Sequence, residues 1–533
     1  MKPPRAAILA CLLLTLGLWW WPNRPQGADV PMPTERFNSV SFAPFRDGQS
    51  PLRERFPTAA EVDADMRLVA PRVRAIRTYA NAEAPYDTAE IAARHGLRVW
   101  QGAWLGRDPA RNEIEVAGLI ASANRHPETI ERVVVGNEVL LRRDLPVTAL
   151  AQALDRVRAA VRQPVTYADV WEFWERNPSL AAHVDIVTIH ILPYWEDDPT
   201  NIDTAIAHVA QVVRDMRRLF PDKPIAIGEV GWPSRGRWRE DAAPSRVNQA
   251  LFLRRFAALA AAENLDYNII EAFDQGWKYK LEGTVGAAWG LWTADRAPKF
   301  PLTGGVSENP AWGFYAGAAM LLSLAFWRGA RDARMVALSF ALGNALAFAW
   351  CGGVPYAFDE HLQLAVAVNL AAQGGLAWLM LRRAGLVLAG AVVPPPRNAA
   401  DTLTLFRGRW RDLGLDDVAF LFLGTALVLQ VLLLIDPRYR DPPLATFAVP
   451  VVVVLARWLI GDLPRDGGGR AELLAGGGLL LTALAWALTE HPVNREAMLW
   501  TLCAVVLAAP ALARMRQGVK TPPEAGQNLP SGR

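Results

Sequence analysis

The sequence predicts a two-part α/β chain: a (β/α)8 barrel followed by an α-helical multi-span membrane domain. Three observations predict it. Short β-rich apolar runs alternate with segments of helical apolar spacing through residues 30–305. Apolar stretches of about the ~20 residues that a helix needs to cross hydrocarbon dominate 306–515. A first such stretch lies ahead of the barrel, at 6–21.

With 533 residues the chain exceeds what one hydrophobic core holds, so several domains are expected. Composition places a signal anchor and linker over 1–29, the barrel over 30–305, the membrane domain with about seven helices over 306–515, and a disordered cytoplasmic tail over 516–533. A net charge of +3 is too small to point to nucleic acid as a partner. Cys11, Cys351 and Cys503 all lie in or beside apolar segments, which leaves the barrel without a disulfide framework or a thiol nucleophile. The seven His show no cluster at metal-ligand spacing along the sequence, so no metal and no cofactor is expected.

The elements follow in order. Arg5 precedes the apolar run 6–21, which ends in Trp19-Trp20-Trp21-Pro22, a poor cleavage site; an uncleaved anchor is expected. A Pro-rich linker covers 22–33. Strands are expected at 37–42, 73–79, 97–103, 132–136, 164–168, 184–191, 223–228 and 268–273, with helices between most of them, such as 147–161, 202–219 and 245–263. Eight strand–helix repeats over that length match a barrel of ~250 residues. The rival doubly wound sheet would carry a glycine-rich loop after its first strand, and none is there.

Seven further spans are expected near 311–327, 335–352, 362–381, 417–435, 443–460, 472–489 and 496–513, with 384–393 as a re-entrant candidate. Arg328, Arg331, Arg334, Arg382, Arg383, Arg407, Arg409, Arg411, Arg465, Arg470, Arg514, Arg516 and Lys520 fall in alternate connections. The positive-inside bias then puts both termini in the cytoplasm and the barrel on the periplasmic side of a bacterial inner membrane, with Arg438 and Arg440 as the exceptions. The spans hold few ionisable groups, and Asn344, Asn369, Gln373 and Gln430 are the main polar interruptions. That pattern favours an anchor or docking platform over an ion-coupled pump.

Catalytic groups in such barrels sit at the C-terminal ends of strands, and two strands here end in a glutamate. The fourth reads Val133-Val134-Val135-Gly136-Asn137-Glu138, and the seventh Ile225-Ala226-Ile227-Gly228-Glu229-Val230-Gly231-Trp232-Pro233-Ser234. A lone Asn-Glu is ordinarily a solvated loop carboxylate. Two carboxylates facing one barrel mouth are what a retaining glycosidase needs: one protonated to assist the leaving oxygen, one ionised to attack the sugar, with ~5–5.5 Å between them.

The segment Gly228-Glu229-Val230-Gly231-Trp232-Pro233-Ser234 closely resembles the nucleophile motif of glycoside hydrolase family 17, and Gly136-Asn137-Glu138 resembles its acid/base motif. The resemblance covers about residues 35–300. It implies a β-1,3-glucanase or glucanosyltransferase with Glu229 as nucleophile, Glu138 as acid/base and Asn137 as a ligand of the sugar 2-hydroxyl. Phe42-Ala43-Pro44-Phe45 looks like the first-strand end of fungal members, and Arg77-Thr78-Tyr79 matches the second, which implies a hydrogen bond from Tyr79 to the nucleophile. His190-Ile191-Leu192-Pro193-Tyr194-Trp195 departs from plant members, which usually carry Asn and Tyr in place of His190 and Leu192. Phe273-Asp274-Gln275-Gly276-Trp277-Lys278 resembles the eighth-strand motif, with Gln275 in place of the usual Glu.

Substrate contacts are accordingly expected from His190, Tyr194 and Lys278, and sugar stacking from Trp232, Trp104 and Trp195. The function implied is a β-glucan transglycosylase that builds or branches periplasmic glucan through β-1,6 or β-1,3 links, with a membrane glucan synthase as a candidate partner. Plain hydrolysis and a non-catalytic glucan-binding module are the alternatives.

Overall fold

The computed structural model describes residues 5–26, 32, 36–82, 85–394, 414–462, 469–490 and 492–518. The chain falls into two compact units. One comprises Met1–Trp21, Ala311–Arg438 and Pro442–Arg533, and the other Pro22–Pro310 with Tyr439–Asp441. Most of the tail expected over 516–533 lies outside the described residues.

In the second unit, eight parallel strands close in sequence order into a barrel. They are β1 (Phe37–Ser41), β2 (Val73–Arg77), β3 (Arg98–Ala103), β4 (Ile130–Asn137), β5 (Val165–Val170), β6 (Ile186–Ile191), β7 (Ile225–Val230) and β8 (Asp266–Ile269). Closure leaves no unpaired edge. Helices start where the sequence supplies caps. Thr58 and Glu61 form a reciprocal capping box for Ala59–Val69, Asp108 caps Pro109–Arg125, and Ser245 caps Arg246–Glu263. The core is continuous around the barrel, from Val40 and Ile76 to Ile227 and Ile269.

Two strand ends differ from the sequence reading. β8 is shorter and earlier, and residues 270–273 leave the sheet to form the loop above it. β4 and β7 run past their glycines, so Asn137 and Glu229 are themselves strand residues. The pairing register also shifts between Val134 and Asn137, between Ile189 and His190, and between Ile227 and Val230. Such irregularities re-aim side chains at a barrel rim. All three lie beside the glutamates.

In the first unit, five helices among the described residues are long and apolar enough to cross a membrane: Arg5–Asn23, Ala333–Tyr356, Glu360–Leu388, Leu415–Ile435 and Arg470–Thr489. Trp312–Trp327 and Ala445–Leu459 are shorter apolar helices, and Arg495–Gly518 is a further helix. Residues 384–388 prolong the helix Glu360–Leu388 instead of re-entering.

The polar interruptions join helices. The Asn344 amide donates to Thr15 Oγ1 (2.9 Å) and its Oδ1 accepts from Trp19 Nε1 (3.0 Å). Gln430 Oε1 accepts from Trp500 Nε1 (2.6 Å), and Gln373 Oε1 accepts from the Val449 amide (3.0 Å). Gly343 lets the helix Ala333–Gly353 approach Ser323, whose Oγ would lie 2.2 Å from an added Cβ. Ionisable groups gather at one end of the helices, where Arg383 pairs with Asp462 (2.5 and 2.8 Å) and Arg457 with Asp416 (2.7 Å).

Candidate active site

The site is assembled from strand ends around a buried arginine. In β2, Val73, Ala75 and Arg77 share the inward face, so the period-2 alternation carries the Arg77 side chain into the barrel, where it is fully buried. A buried guanidinium needs acceptors, and this one finds them on two strands. Its Nη1 donates to Gly228 O (2.7 Å) and Glu229 Oε1 (3.1 Å), and its Nη2 to Asn137 Oδ1 (2.5 Å). Glu229, 6% exposed, takes a second donor from the Tyr79 hydroxyl at 2.9 Å. Burial first, and then the Glu229 charge, push the Tyr79 hydroxyl well above its ordinary pKa, so it stays a donor.

Glu138 lies across the mouth, held by backbone geometry that a side-chain pattern does not reveal. Gly136 has φ +84° and Glu138 itself φ +51°, a left-handed conformation uncommon for a residue with a Cβ and characteristic of functional turns. The turn is secured by the Glu138 amide on Ala168 O (2.8 Å) and by Asp169, whose Oδ2 accepts from the Tyr167 hydroxyl and the Leu140 amide. Burial raises the Asp169 carboxyl to about 6.

His190, 1% exposed, stands between the two glutamates. Its Nδ1 is 2.8 Å from Glu138 Oε1, and its Nε2 is 3.4 Å from Arg77 Nη1 and 3.8 Å from Glu229 Oε1. Burial pushes the Glu138 carboxyl up, but the His190 hydrogen bond, with the charges of Arg142 and Arg77, outweighs it and leaves the group below its ordinary value.

One ligand-type atom from each of Glu138, His190 and Glu229 lies within 4.8 Å of the other two. Folding thus creates a cluster that spacing along the sequence did not suggest. The Arg77 guanidinium already supplies positive charge at Glu229 and opposes a further cation there. The same cluster puts an oxygen of each carboxylate within 4.8 Å of the other.

The expected site residues divide. Glu138, Glu229, Asn137, Tyr79 and His190 converge. Asn137 spends its Oδ1 on Arg77, and its amide nitrogen makes no hydrogen bond among the described residues, which leaves it available as a donor. His190 is too buried for a sugar ligand and faces the carboxylates instead.

Trp232 is fully buried, with Nε1 on Ala243 O (3.0 Å) and its ring against Tyr194 and Phe252, so it offers no face to a sugar. Tyr194 is likewise buried, its hydroxyl on Arg237 O (2.6 Å), and Trp195 stacks on it at 5.6 Å. Lys278 is largely buried and paired with Glu271, and burial raises the Glu271 carboxyl to about 8. Trp104 remains 37% exposed, with the Arg142 guanidinium 4.1 Å from its ring centre.

Arg77 and Asp169 were missed as site residues. Arg77 had a signal: an arginine at an inward position of an apolar strand.

Residues 39–290 match the family model described as the BtgE/BtgC glycoside hydrolase domain. Among curated proteins, a glucan 1,3-beta-glucosidase of Schizosaccharomyces pombe is 26% identical over 40% of this chain and 72% of the relative. A glucan 1,3-beta-glucosidase of Candida albicans is 25% identical over 45% of this chain and 85% of the relative. Among solved structures, a glycoside hydrolase family 17 beta-1,3-glucanosyltransferase from Rhizomucor miehei has 22% identity and a TM-score of 0.44, covering 50% of this chain and 97% of that chain.

Proposed function

We propose that the barrel, which matches the BtgE/BtgC glycoside hydrolase domain over residues 39–290, acts on β-1,3-glucan by a retaining mechanism and transfers the cleaved chain to a sugar acceptor. The observation that carries this reading is the pair of carboxylates with oxygens within 4.8 Å, the buried one bound by a guanidinium and a phenol and the other partly open to solvent.

Glu229 attacks the anomeric carbon as a carboxylate, held at its angle by Arg77 and Tyr79. Glu138 gives a proton to the departing glycosidic oxygen, and the C–O bond breaks as the glycosyl–Glu229 ester forms. Glu138, now ionised, removes the proton of an acceptor hydroxyl, whose oxygen displaces Glu229 and restores the β-configuration. Asn137 donates its free amide N–H to the donor sugar's 2-hydroxyl, and Trp104 supplies a stacking face with its exposed side.

The glucan substrate is supported by the names of the relatives. Transfer in preference to hydrolysis, with β-1,6 or β-1,3 links formed, is supported by the spans joined to the barrel, a setting suited to glucan building more than to scavenging. The same reading places the barrel on the periplasmic side of a bacterial inner membrane with both termini cytoplasmic, beside a membrane glucan synthase. It takes 30–305 as the catalytic domain and 306–515 as the platform.

The test incubates the full-length protein in detergent with reduced β-1,3-gluco-oligosaccharides and analyses products by mass and linkage. Products longer than the donor, with 6-linked or new 3-linked residues, support transfer. Shorter products alone make it a hydrolase, and no turnover returns it to a binding module.

A further inference from the structure

We infer that His190 is a positioning residue that holds the acid/base glutamate ionised for the second half of the reaction, as a neutral imidazole with its proton on Nδ1. The inference rests on the proposed role of Glu138. It starts from the donor inventory: arginine has hydrogen-bond donors and no acceptor. Arg77 Nη1, 3.4 Å from His190 Nε2, therefore faces a lone pair, and Nε2 carries no proton. The ring proton sits on Nδ1, 2.8 Å from Glu138 Oε1, and donates to it. A donor aimed at a carboxylate stabilises the ionised form.

Charged and polar groups face the imidazole from every strand around it. From β2 comes Arg77, whose charge opposes a second positive charge on the imidazole. From β4 and the turn after it come Asn137, Glu138 and Arg142, and from β5 Tyr167 and Asp169. From β7 comes Glu229, and from the segment after β8 Glu282, whose charge acts on both catalytic glutamates. Gly228 makes the arrangement possible, because a Cβ there would lie 3.0 Å from His190 Nε2 and Cδ2.

The consequence is chemical. In the first half-reaction Glu138 must hold a proton, which the His190 contact disfavours. In the second it must take one from the acceptor hydroxyl, and the Nδ1–H bond keeps the empty carboxylate oriented to do so. His190 thus favours acceptor activation over donor cleavage. It never exchanges its own proton in this cycle, so the step balances between Glu138, the leaving oxygen and the acceptor alone.

The experiment compares pH profiles of kcat/KM in the full-length protein for His190→Met, His190→Phe and His190→Asn. Asparagine places an amide N–H where Nδ1–H stood; the other two do not. Loss of the donor raises the proton affinity of Glu138, so the alkaline limb moves up by about one pH unit in the Met and Phe variants. It stays within a few tenths of a unit in the Asn variant. The same two variants accumulate glycosyl-enzyme from an aryl glycoside donor, because the second step has slowed.

An unmoved limb with activity lowered evenly at every pH would overturn the inference and leave His190 a packing residue. Should neither apolar variant fold, histidine-labelled unsubstituted protein shows one neutral Nδ1–H ring by ¹⁵N NMR, absent from His190→Asn; an Nε2–H or doubly protonated pattern overturns it equally. If Glu138→Gln keeps the alkaline limb, the acid/base assignment itself has failed and the inference falls with it, whatever the His190 variants show.

Discussion

Glu138 and Glu229 differ in what surrounds them, and that difference supports the roles proposed for them. Glu229 receives two side-chain donors on the same oxygen, Oε1, which fixes the orientation of the carboxylate proposed as nucleophile. Glu138 sits on a left-handed turn with 23% of its side chain exposed, open to the oxygen it must reach. Glu138→Gln and Glu229→Gln should each lower turnover by about 10²–10⁴-fold or more with the melting temperature nearly unchanged, as steady-state kinetics and thermal unfolding would read. The tryptophans separate in the opposite way. Trp104→Ala should raise KM while the protein stays as stable, whereas Trp232→Ala should cost about 3–5 kcal/mol of stability by emptying a packed site. Sequence treated the two alike, because an indole near a strand end looks the same whether its face meets water or Phe252.

At the scale of elements, the strands were legible because short apolar runs alternate with helical spacing eight times, and the fourth and seventh end in a glycine followed by a glutamate within two residues. The register shifts that turn Glu138, His190 and Glu229 toward one another were not, since a bulge depends on hydrogen bonds between strands and leaves no mark on one strand's own pattern. β8 was misplaced for a related reason: Ile270 and Phe273 are buried like strand residues, but they pack in a loop. Gly228→Ala tests the close approach of β6 and β7. The new Cβ meets Thr188 Cγ2 at 2.7 Å and His190 at 3.0 Å, so activity should fall at least tenfold with the barrel still folded, as circular dichroism would report.

The loops after β7 and β8 are tied by Lys299, whose Nζ reaches Ser234 Oγ (2.7 Å) and Asp274 Oδ1 (2.5 Å). Burial lowers the Lys299 amine to about 8, below the ~10.4 of an unfolded chain. The stability it contributes is therefore complete above pH ~10.4 and is lost as pH falls through 8. Thermal unfolding should show a rise between pH 8 and 10 that Lys299→Met abolishes.

For the whole molecule, the division into a barrel unit and a unit of apolar helices followed from composition, since the hydropathy of 306–515 admits little else. Partly buried ion pairs such as Arg457 with Asp416 escaped notice because each partner lies near a helix end, where charge is commonplace. Protease added to intact spheroplasts should remove the barrel and spare epitopes near the C-terminus; a protected barrel would reverse the proposed orientation.

The central claim, covalent retaining catalysis by Glu229, is tested most directly by trapping. The full-length protein is incubated with a 2-deoxy-2-fluoro-laminaribiosyl fluoride, digested and mapped by mass spectrometry. The account predicts one added 2-deoxy-2-fluoro-laminaribiosyl group, carried by the peptide containing Glu229 and absent from Glu229→Gln. An enzyme that turns over β-1,3-glucan and yields no adduct, or an adduct on another carboxylate, would contradict it.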